Sequence, residues 1–291
     1  MSRIVVLGDL NLDVHARAPS DLAAGEEVRD LVHASPGGSA GTFARIAAAR
    51  GASVAFLGCV GTDLVGDLLV RSLEAAGVEP IVQRADCPSG VILALHEDPE
   101  RTMICSRGAN DGILADGIDA SVFDAADHLH VSGYAFLSES QRPAVERALA
   151  LAGERGLSVS VDPPPANLIR GFGVEAFLAL LPIRGWLFPN RAEGAILTGA
   201  DEPVSIVDRL APRFEVGALT MGAGGSLAWV GEERHAQPAN RLEGVDTTGA
   251  GDAFAGAFVA AYLDTGDIEH ASLSGGRAAH DHLRASSCAD A

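Results

Sequence analysis

The feature that most constrains this 291-residue chain is a regular alternation of short apolar runs with longer helical periods. "RIVVLG" (3–8) and "SVAFLGCVG" (53–61) are dense in β-branched and apolar residues and read as buried strands. "SAGTFARIAAARG" (39–51), with Gly51 as a stop, and "LVGDLLVRSLEAAG" (64–77) carry helical spacing. Further strands are expected at "HLHVSG", "LSVSVD", "GWLFPN" and "VGALTMG", with helices at "QRPAVERALALAGERG" and "PVSIVDRLAPRF". A βαβα rhythm of this kind predicts an α/β fold: a mostly parallel central sheet with helices on both faces. Ligands in such folds bind beyond the C-terminal ends of the strands.

Two stretches break the rhythm. Residues 12–33 hold no convincing core helix, and "PSGVILALHEDPERTMICSR" (88–107) reads as two strands joined by a turn at "EDPER". The expected layout is therefore a core formed by 1–11, 34–86 and 108–291, with strand-like inserts at 12–33 and 87–107. The inserts fit a small β lid that excludes water from a site, or an ordinary edge hairpin. No internal repeat and no linker between independent halves is visible.

The chain carries 39 acidic against 21 basic residues, a formal net charge of −18. That balance argues against a duplex nucleic-acid partner and against docking on anionic membranes. The first apolar run is too short for a signal peptide, and no stretch approaches the roughly 18 apolar residues of a spanning helix. Cys59, Cys87, Cys105 and Cys288 form no CxxC pair, as expected of reduced thiols in a cytoplasmic protein.

Near the C-terminal end stands "VDTTGAGDAFAGAF" (245–258). Small residues at a helix start let an anion approach unpaired backbone N–H groups closely, so Gly249, Ala250 and Gly251 form a candidate anion hole. Phe254, Phe258 and Tyr262 follow at four-residue spacing, most simply a core-facing stripe. Asp252 would repel a bound anion. It is tolerable beside one if it takes the proton from a nucleophile attacking that anion. Phosphoryl transfer to an alcohol needs this pair of functions.

That segment resembles the C-terminal signature of the ribokinase-like, or phosphofructokinase B, family of carbohydrate and nucleoside kinases. Upstream, "PGGSAGTFARIAAARGASVAFLGCVGTDLVGD" (36–67) resembles the family's N-terminal signature, with its Gly37–Gly38 pair and "GTDxxG". The resemblance spans nearly the whole chain. It implies ATP-dependent phosphorylation of a hydroxymethyl group on a sugar or sugar-like acceptor. Asp252 would be the base and the Gly249–Gly251 backbone the anion hole. Asn11, Asp13, Gly37, Gly38, Thr42 and Arg107 would meet the acceptor; a carboxylate such as Asp13 can take hydrogen bonds from two hydroxyls. "FPNRAEG" resembles the family's NxxE motif, placing Asn190 near the nucleotide phosphates and Glu193 on Mg²⁺ through water. The same residues also fit a helix-capping box. "TMGAGGS" resembles the nucleotide loop, with Thr220, Gly222, Gly225 and, from the anion hole, Gly251 toward ATP. Asp246 and Thr248 align with positions that bind a monovalent cation such as K⁺. A homodimer formed through the lid is a further expectation, because exposed sheet edges seek partners.

Two positions depart from the family. Thr42 stands where Asn is usual, so acceptor contacts there must differ. "GGRAAHDHLRASS" (275–287), with Arg277, His280 and His282, replaces a small-residue helix that flanks the adenine. Neither the His128/His130 pair nor the His280/His282 pair has a third ligand at metal-binding spacing. A nucleoside kinase of the same family, and a non-catalytic sugar- or nucleotide-binding regulator, remain alternatives. A dehydrogenase is disfavoured, because no early strand carries GxGxxG.

Overall fold

A computed structural model describes residues 1–17, 27, 32–97, 100–240, 242 and 247–289. The chain opens with β1 (Arg3–Leu7), β2 (Asn11–Arg17), β3 (Val32–Gly37), α1 (Ser39–Ala49), β4 (Ser53–Gly61), α2 (Leu64–Ala75) and β5 (Val78–Ala85). A pair of strands follows, β6 (Gly90–Glu97) and β7 (Glu100–Ser106). Next come β8 (His128–Ser132), α3 (Gly133–Leu137), α4 (Arg142–Glu154), β9 (Ser158–Asp162), α5 (Ala166–Phe172) and α6 (Val174–Leu180). The chain continues through β10 (Trp186–Leu187), α7 (Arg191–Thr198), α8 (Pro203–Leu210), β11 (Val216–Thr220), β12 (Ser226–Val230), β13 (Glu233–Gln237), α9 (Ala250–Thr265) and α10 (Ile268–Ala289).

Nine strands form one sheet in the order β13-β12-β11-β10-β9-β8-β1-β4-β5, parallel except at β12 and β13. β1 explains why both faces are covered. Val5 and Leu7 enter a core with α3 to α8, while Ile4 and Val6 enter a second core with α1, α2, α9 and α10. A strand buried on both sides needs apolar residues at successive positions, which is what "RIVVL" supplies. β1 pairs β4 on one side and β8 on the other, so strand order reverses there and a crevice opens past the carboxyl ends.

The second sheet has the order β3-β2-β6-β7: two antiparallel pairs joined by a parallel β2–β6 contact. Its limits differ from the expected inserts. Asn11 and residues 34–37, placed with the core by sequence, are strand residues here, because Asn11 pairs with both Gly37 and Gly90. Residues 18–26, 28–31 and 98–99 of the expected inserts lie outside the described residues. The "GTDxxG" element ties the two sheets. Asp63 caps α2 by accepting from Gly66 N (2.7 Å), and it accepts from Ser89 N (2.8 Å) and Ser89 Oγ (2.6 Å) just before β6.

His128 and His130 are core residues. Both His128 ring nitrogens (to Ser158 and Ser160) and His130 Nδ1 (to Ser160) pair at 2.7–2.8 Å, His130 Nε2 is buried without a partner among the described residues, and Phe43 stacks on His130 at 3.5 Å. Burial lowers His128 to about 3 and His130 well below the usual range, so both rings are neutral. None of the described helices is long and apolar enough to cross a membrane.

Candidate active site

The loops past β1, β8, β9, β10 and β11 and the start of α9 enclose two adjoining cavities. The first, about 250 Å³, lies between the crevice and the small sheet and is lined by Asn11, Asp13, Gly38, Thr42, Arg107, Glu193, Thr248, Gly249 and Asp252. The second, about 340 Å³, is lined by Gly222, Gly225, Ala250, Phe254 and His280. Asn190, Thr220, Thr247 and Gly251 border both. Every expected site residue except Gly37 and Asp246 therefore lines one cavity or the other. Gly37 stands directly behind Asp13, and Asp246 lies outside the described residues.

Asp13 projects from β2 toward α1. A Cβ added at Gly37 would fall 1.9 Å from Asp13 Oδ2, so only glycine lets the carboxylate settle against this backbone. Gly37→Ala should therefore raise the acceptor KM about tenfold with little change in Tm, as steady-state kinetics beside a thermal melt will show. Burial pushes Asp13 up to about 6, opposed by His15, Arg45 and the Gly38 N–H. Arg45, which sequence reading passed over, folds back along α1 and donates from Nη2 to Pro36 O (2.9 Å) and Thr42 Oγ1 (3.2 Å). Its buried guanidinium lies within electrostatic reach of Asp13 and Asp252. At the first departure from the family, then, the Thr42 hydroxyl is held by an arginine.

Arg107 lines the first cavity, but its charge is already engaged. Nη1 and Nη2 meet Asp9 at 2.9 and 3.2 Å, and Nε meets Asp111 at 2.8 Å. Asp9 is buried and also accepts from Gln141 Nε2 (3.0 Å). Asn110 donates to Asn11 Oδ1 (2.7 Å) and accepts from Leu10 N (2.9 Å), closing this network under the turn between the sheets.

α9 begins at Ala250 after Gly249, whose φ of 73° is the left-handed region that glycine adopts freely. Asp252 in its first turn is half-buried and lines the first cavity. Burial raises it, while hydrogen bonds with Ser39 and Asp162 and the charges of His282 and Arg45 act the other way. Asp162, at the carboxyl end of β9, is raised further, first by burial and then by the charges of Asp252 and Glu193. Two hydrogen-bonded carboxyls need one proton between them. Asp162 holds it and donates to Asp252, which stays the acceptor. The only sequence signal for Asp162 is a lone acid ending a parallel strand before a proline tract. Tyr134, Pro163 and Pro165 complete this wall.

Asn190 and Glu193 form the capping box of α7. Asn190 Oδ1 accepts from Glu193 N (3.0 Å), and Glu193 accepts from Asn190 N (2.8 Å) and Nδ2 (2.6 Å). Burial lifts Glu193 to about 8 despite these contacts. Asp13, Asp162, Glu193 and Asp252 all bind protons more tightly folded than unfolded, so stability contributed by them is lost as pH rises. Neutral burial of His128 and His130 acts the opposite way below about pH 6.5, so the clear window lies above it: the ligand-free chain should show a falling Tm as pH rises from about 7 through the Glu193 step near 8. A Tm that rises across this window would contradict that assignment.

Of the pair expected to hold a monovalent cation, only Thr248 lies among the described residues. The Thr248 carbonyl accepts from His282 Nε2 at 3.0 Å. Among the described residues, no three His, Cys, Asp or Glu side chains converge to hold a metal directly.

Comparison with known proteins agrees with this architecture. The family described as "pfkB family carbohydrate kinase" matches residues 1–290. An ATP-dependent ribose-1-phosphate kinase from Halopiger xanaduensis is 32% identical over 277 residues, covering 93% of this chain and 88% of the relative. The structure of adenosine kinase from Sinorhizobium meliloti superposes with a TM-score of 0.87 at 23% identity, covering 97% of this chain and 94% of the other. An E. coli protein of the ribokinase II type, solved with ATP and Mg²⁺, superposes with a TM-score of 0.82 at 20% identity, covering 97% and 93%. At such identities the two structures establish the fold, and the family match over almost the full length establishes the enzyme class. The chain belongs to the pfkB family of carbohydrate kinases, ATP-dependent phosphotransferases that act on sugars or nucleosides.

Proposed function

We infer that this kinase phosphorylates a hydroxymethyl group of a sugar or sugar-like acceptor, with Asp252 as base and the Gly249–Gly251 backbone as anion hole. The observation that carries this reading is the seam between the cavities. Gly251 borders both, Asp13 faces only the first, and the Gly222–Gly225 turn faces only the second. A hydroxyl held by Asp13 and Thr42 would reach Asp252 from one side, and a triphosphate lying over Gly222 and Gly225 would reach the α9 N-terminus from the other. The N–H groups of Gly249 and Gly251 there would stabilise charge on the transferring group, while the Ala250 N–H closes the turn on Thr247 O (3.3 Å). Asp252 takes the alcohol proton as the oxygen attacks phosphorus and the nucleoside diphosphate leaves.

Asn190 and Glu193 offer oxygen donors beside the seam, which suit Mg²⁺. Glu193 and Asn190 would hold it through water, and it would neutralise the charge on the nucleotide phosphates. The raised Glu193 carboxyl supports this, since a neighbouring dication favours its ionised form.

The small sheet presents Ile92, Met103 and Cys105 to the first cavity. As a lid it would exclude water during transfer. That apolar wall supports the second reading, a nucleoside acceptor whose base lies against the lid. A non-catalytic regulator is weighed against by the intact Asp252 arrangement. The lid's opposite face exposes Val32 (67%) and Ile104 (58%), which suits a lid-to-lid homodimer. A site of action in the cytoplasm accords with use of ATP.

The test is a coupled ADP-release screen with Mg-ATP across sugars, sugar phosphates, sugar acids and nucleosides. Turnover of one class identifies the acceptor. ATP-dependent stabilisation with no turnover on any acceptor favours the regulator. With the true acceptor, kcat/KM should fall below about pH 6 as Asp13 protonates and stops accepting hydroxyl hydrogens. Asp13→Asn should abolish that acid limb.

A further inference from the structure

His282 sits on α10, one of the departures from the family, with its ring against the turn that opens α9. The Thr248 carbonyl can only accept, so the His282 Nε2 that lies 3.0 Å away carries the proton and donates. A Cβ on Gly249 would fall 2.7 Å from the same nitrogen, so the ring fills the space beside the turn. A cation on this carbonyl would face the positive edge of an N–H group and would have to displace the imidazole. The ring's position is also fixed. α10 runs unbroken from Ile268 to Ala289, packs so closely along α9 that a Cβ on Gly275 would fall 3.0 Å from the Phe254 ring, and is tethered at Asp281 to Arg50 beyond α1 (3.5 Å).

We propose that His282 is a positioning residue that does here what the family resemblance assigns to a monovalent cation, so that the enzyme works without K⁺. An ion on a carbonyl turns that peptide and aims the following N–H groups at the anion. A fixed N–H donor does the same. With the Thr248 carbonyl drawn toward α10, the Gly249 N–H of the same peptide points the opposite way, the Ala250 N–H closes the turn on Thr247 O (3.3 Å), and the N–H groups of Gly249 and Gly251 are left for the anion. The imidazole also adds to the field at Asp252. This inference rests on the reading of the α9 N-terminus as the anion hole.

The experiment uses the purified full chain with Mg-ATP and its best acceptor, in KCl and in tetramethylammonium chloride at equal ionic strength. The expected result is the same kcat in both salts, to within about twofold, for the wild type. His282→Ala should lose about tenfold or more in kcat with a smaller change in acceptor KM, and added imidazole should restore part of the loss. A merely structural histidine would not show imidazole rescue confined to kcat. His282→Gln, which keeps an N–H donor, serves if the alanine variant does not fold, and it should retain more activity than a His282→Leu control. Activation of the wild type by K⁺ of about tenfold or more, or unchanged kcat in His282→Ala, overturns the proposal. A second readout separates this inference from the proposed function. The thermal midpoint with a non-hydrolysable ATP analogue should agree in the two salts to about 1 °C, and a K⁺-specific rise overturns the inference even if no acceptor is ever turned over.

Discussion

Asp252→Asn is expected to lower kcat by about 10²–10⁴-fold, the contribution of a positioned general base, while leaving the ATP and acceptor KM values within a few-fold. The amide keeps the size of the side chain and can still hydrogen-bond Ser39 and Asp162, so the cleft should keep its shape. It cannot accept the alcohol proton at neutral pH. The second half of the expectation concerns stability. Burial raises the Asp252 carboxyl, which means that the folded chain bears a cost for ionising it. Removing the charge should leave Tm unchanged or higher. An inactive variant that is also less stable would point to a structural role, and near-normal turnover would remove Asp252 from the chemistry. Asp162→Asn is the companion measurement: it keeps a donor toward Asp252, so it should cost far less in kcat than Asp252→Asn.

Arg107→Met should have the largest effect on folding, about 3 kcal/mol, as when one partner of a buried ion pair is deleted. Asp9 keeps only 6% of its side-chain surface exposed, against 31% for Arg107, so the loss falls on a carboxylate with very little access to water. Gln141 alone cannot replace two guanidinium hydrogen bonds. For a domain of this size the corresponding drop in Tm is about 6 °C. Asp9→Asn combined with Arg107→Met should recover much of the loss, because the orphaned charge is then gone. If Arg107 instead contacts the acceptor directly, the single variant would keep its Tm and raise the acceptor KM.

The sequence was most legible where one short segment fixes both local structure and chemistry. The runs at 53–61 and 64–77 gave β4 and, to within two residues, α2, because hydrophobic period and capping agree there. "NRAE" gave the α7 capping box for the same reason. β10 shrank to Trp186–Leu187 because Pro189 cannot donate to a ladder. β5 was missed because Pro80, Arg84 and Glu79 blur its pattern at the outer edge of the sheet. β12 and β13 were missed because an antiparallel hairpin beside a parallel sheet breaks the rhythm on which the rest was read. α5 and α6 went unread because Gly173, at φ 104°, divides a continuous run. Two contacts of residues that the sequence did single out went unread because the partners are remote. Arg107 meets Asp9 across 98 positions and His282 meets Thr248 across 34, and no local period encodes either contact.

Asp13 is rooted in β2, a strand of the cover, and not in the nine-stranded sheet beneath it. Only residues 8–10 link β2 to β1, and the pins at that link are polar: Asn110 on Leu10 and on Asn11, with Asp9 clasped by Arg107. On the proposed reading of the small sheet as a lid, a movement at this short link would carry the carboxylate and the roof together, so an acceptor that satisfies Asp13 would draw its own shelter down over itself.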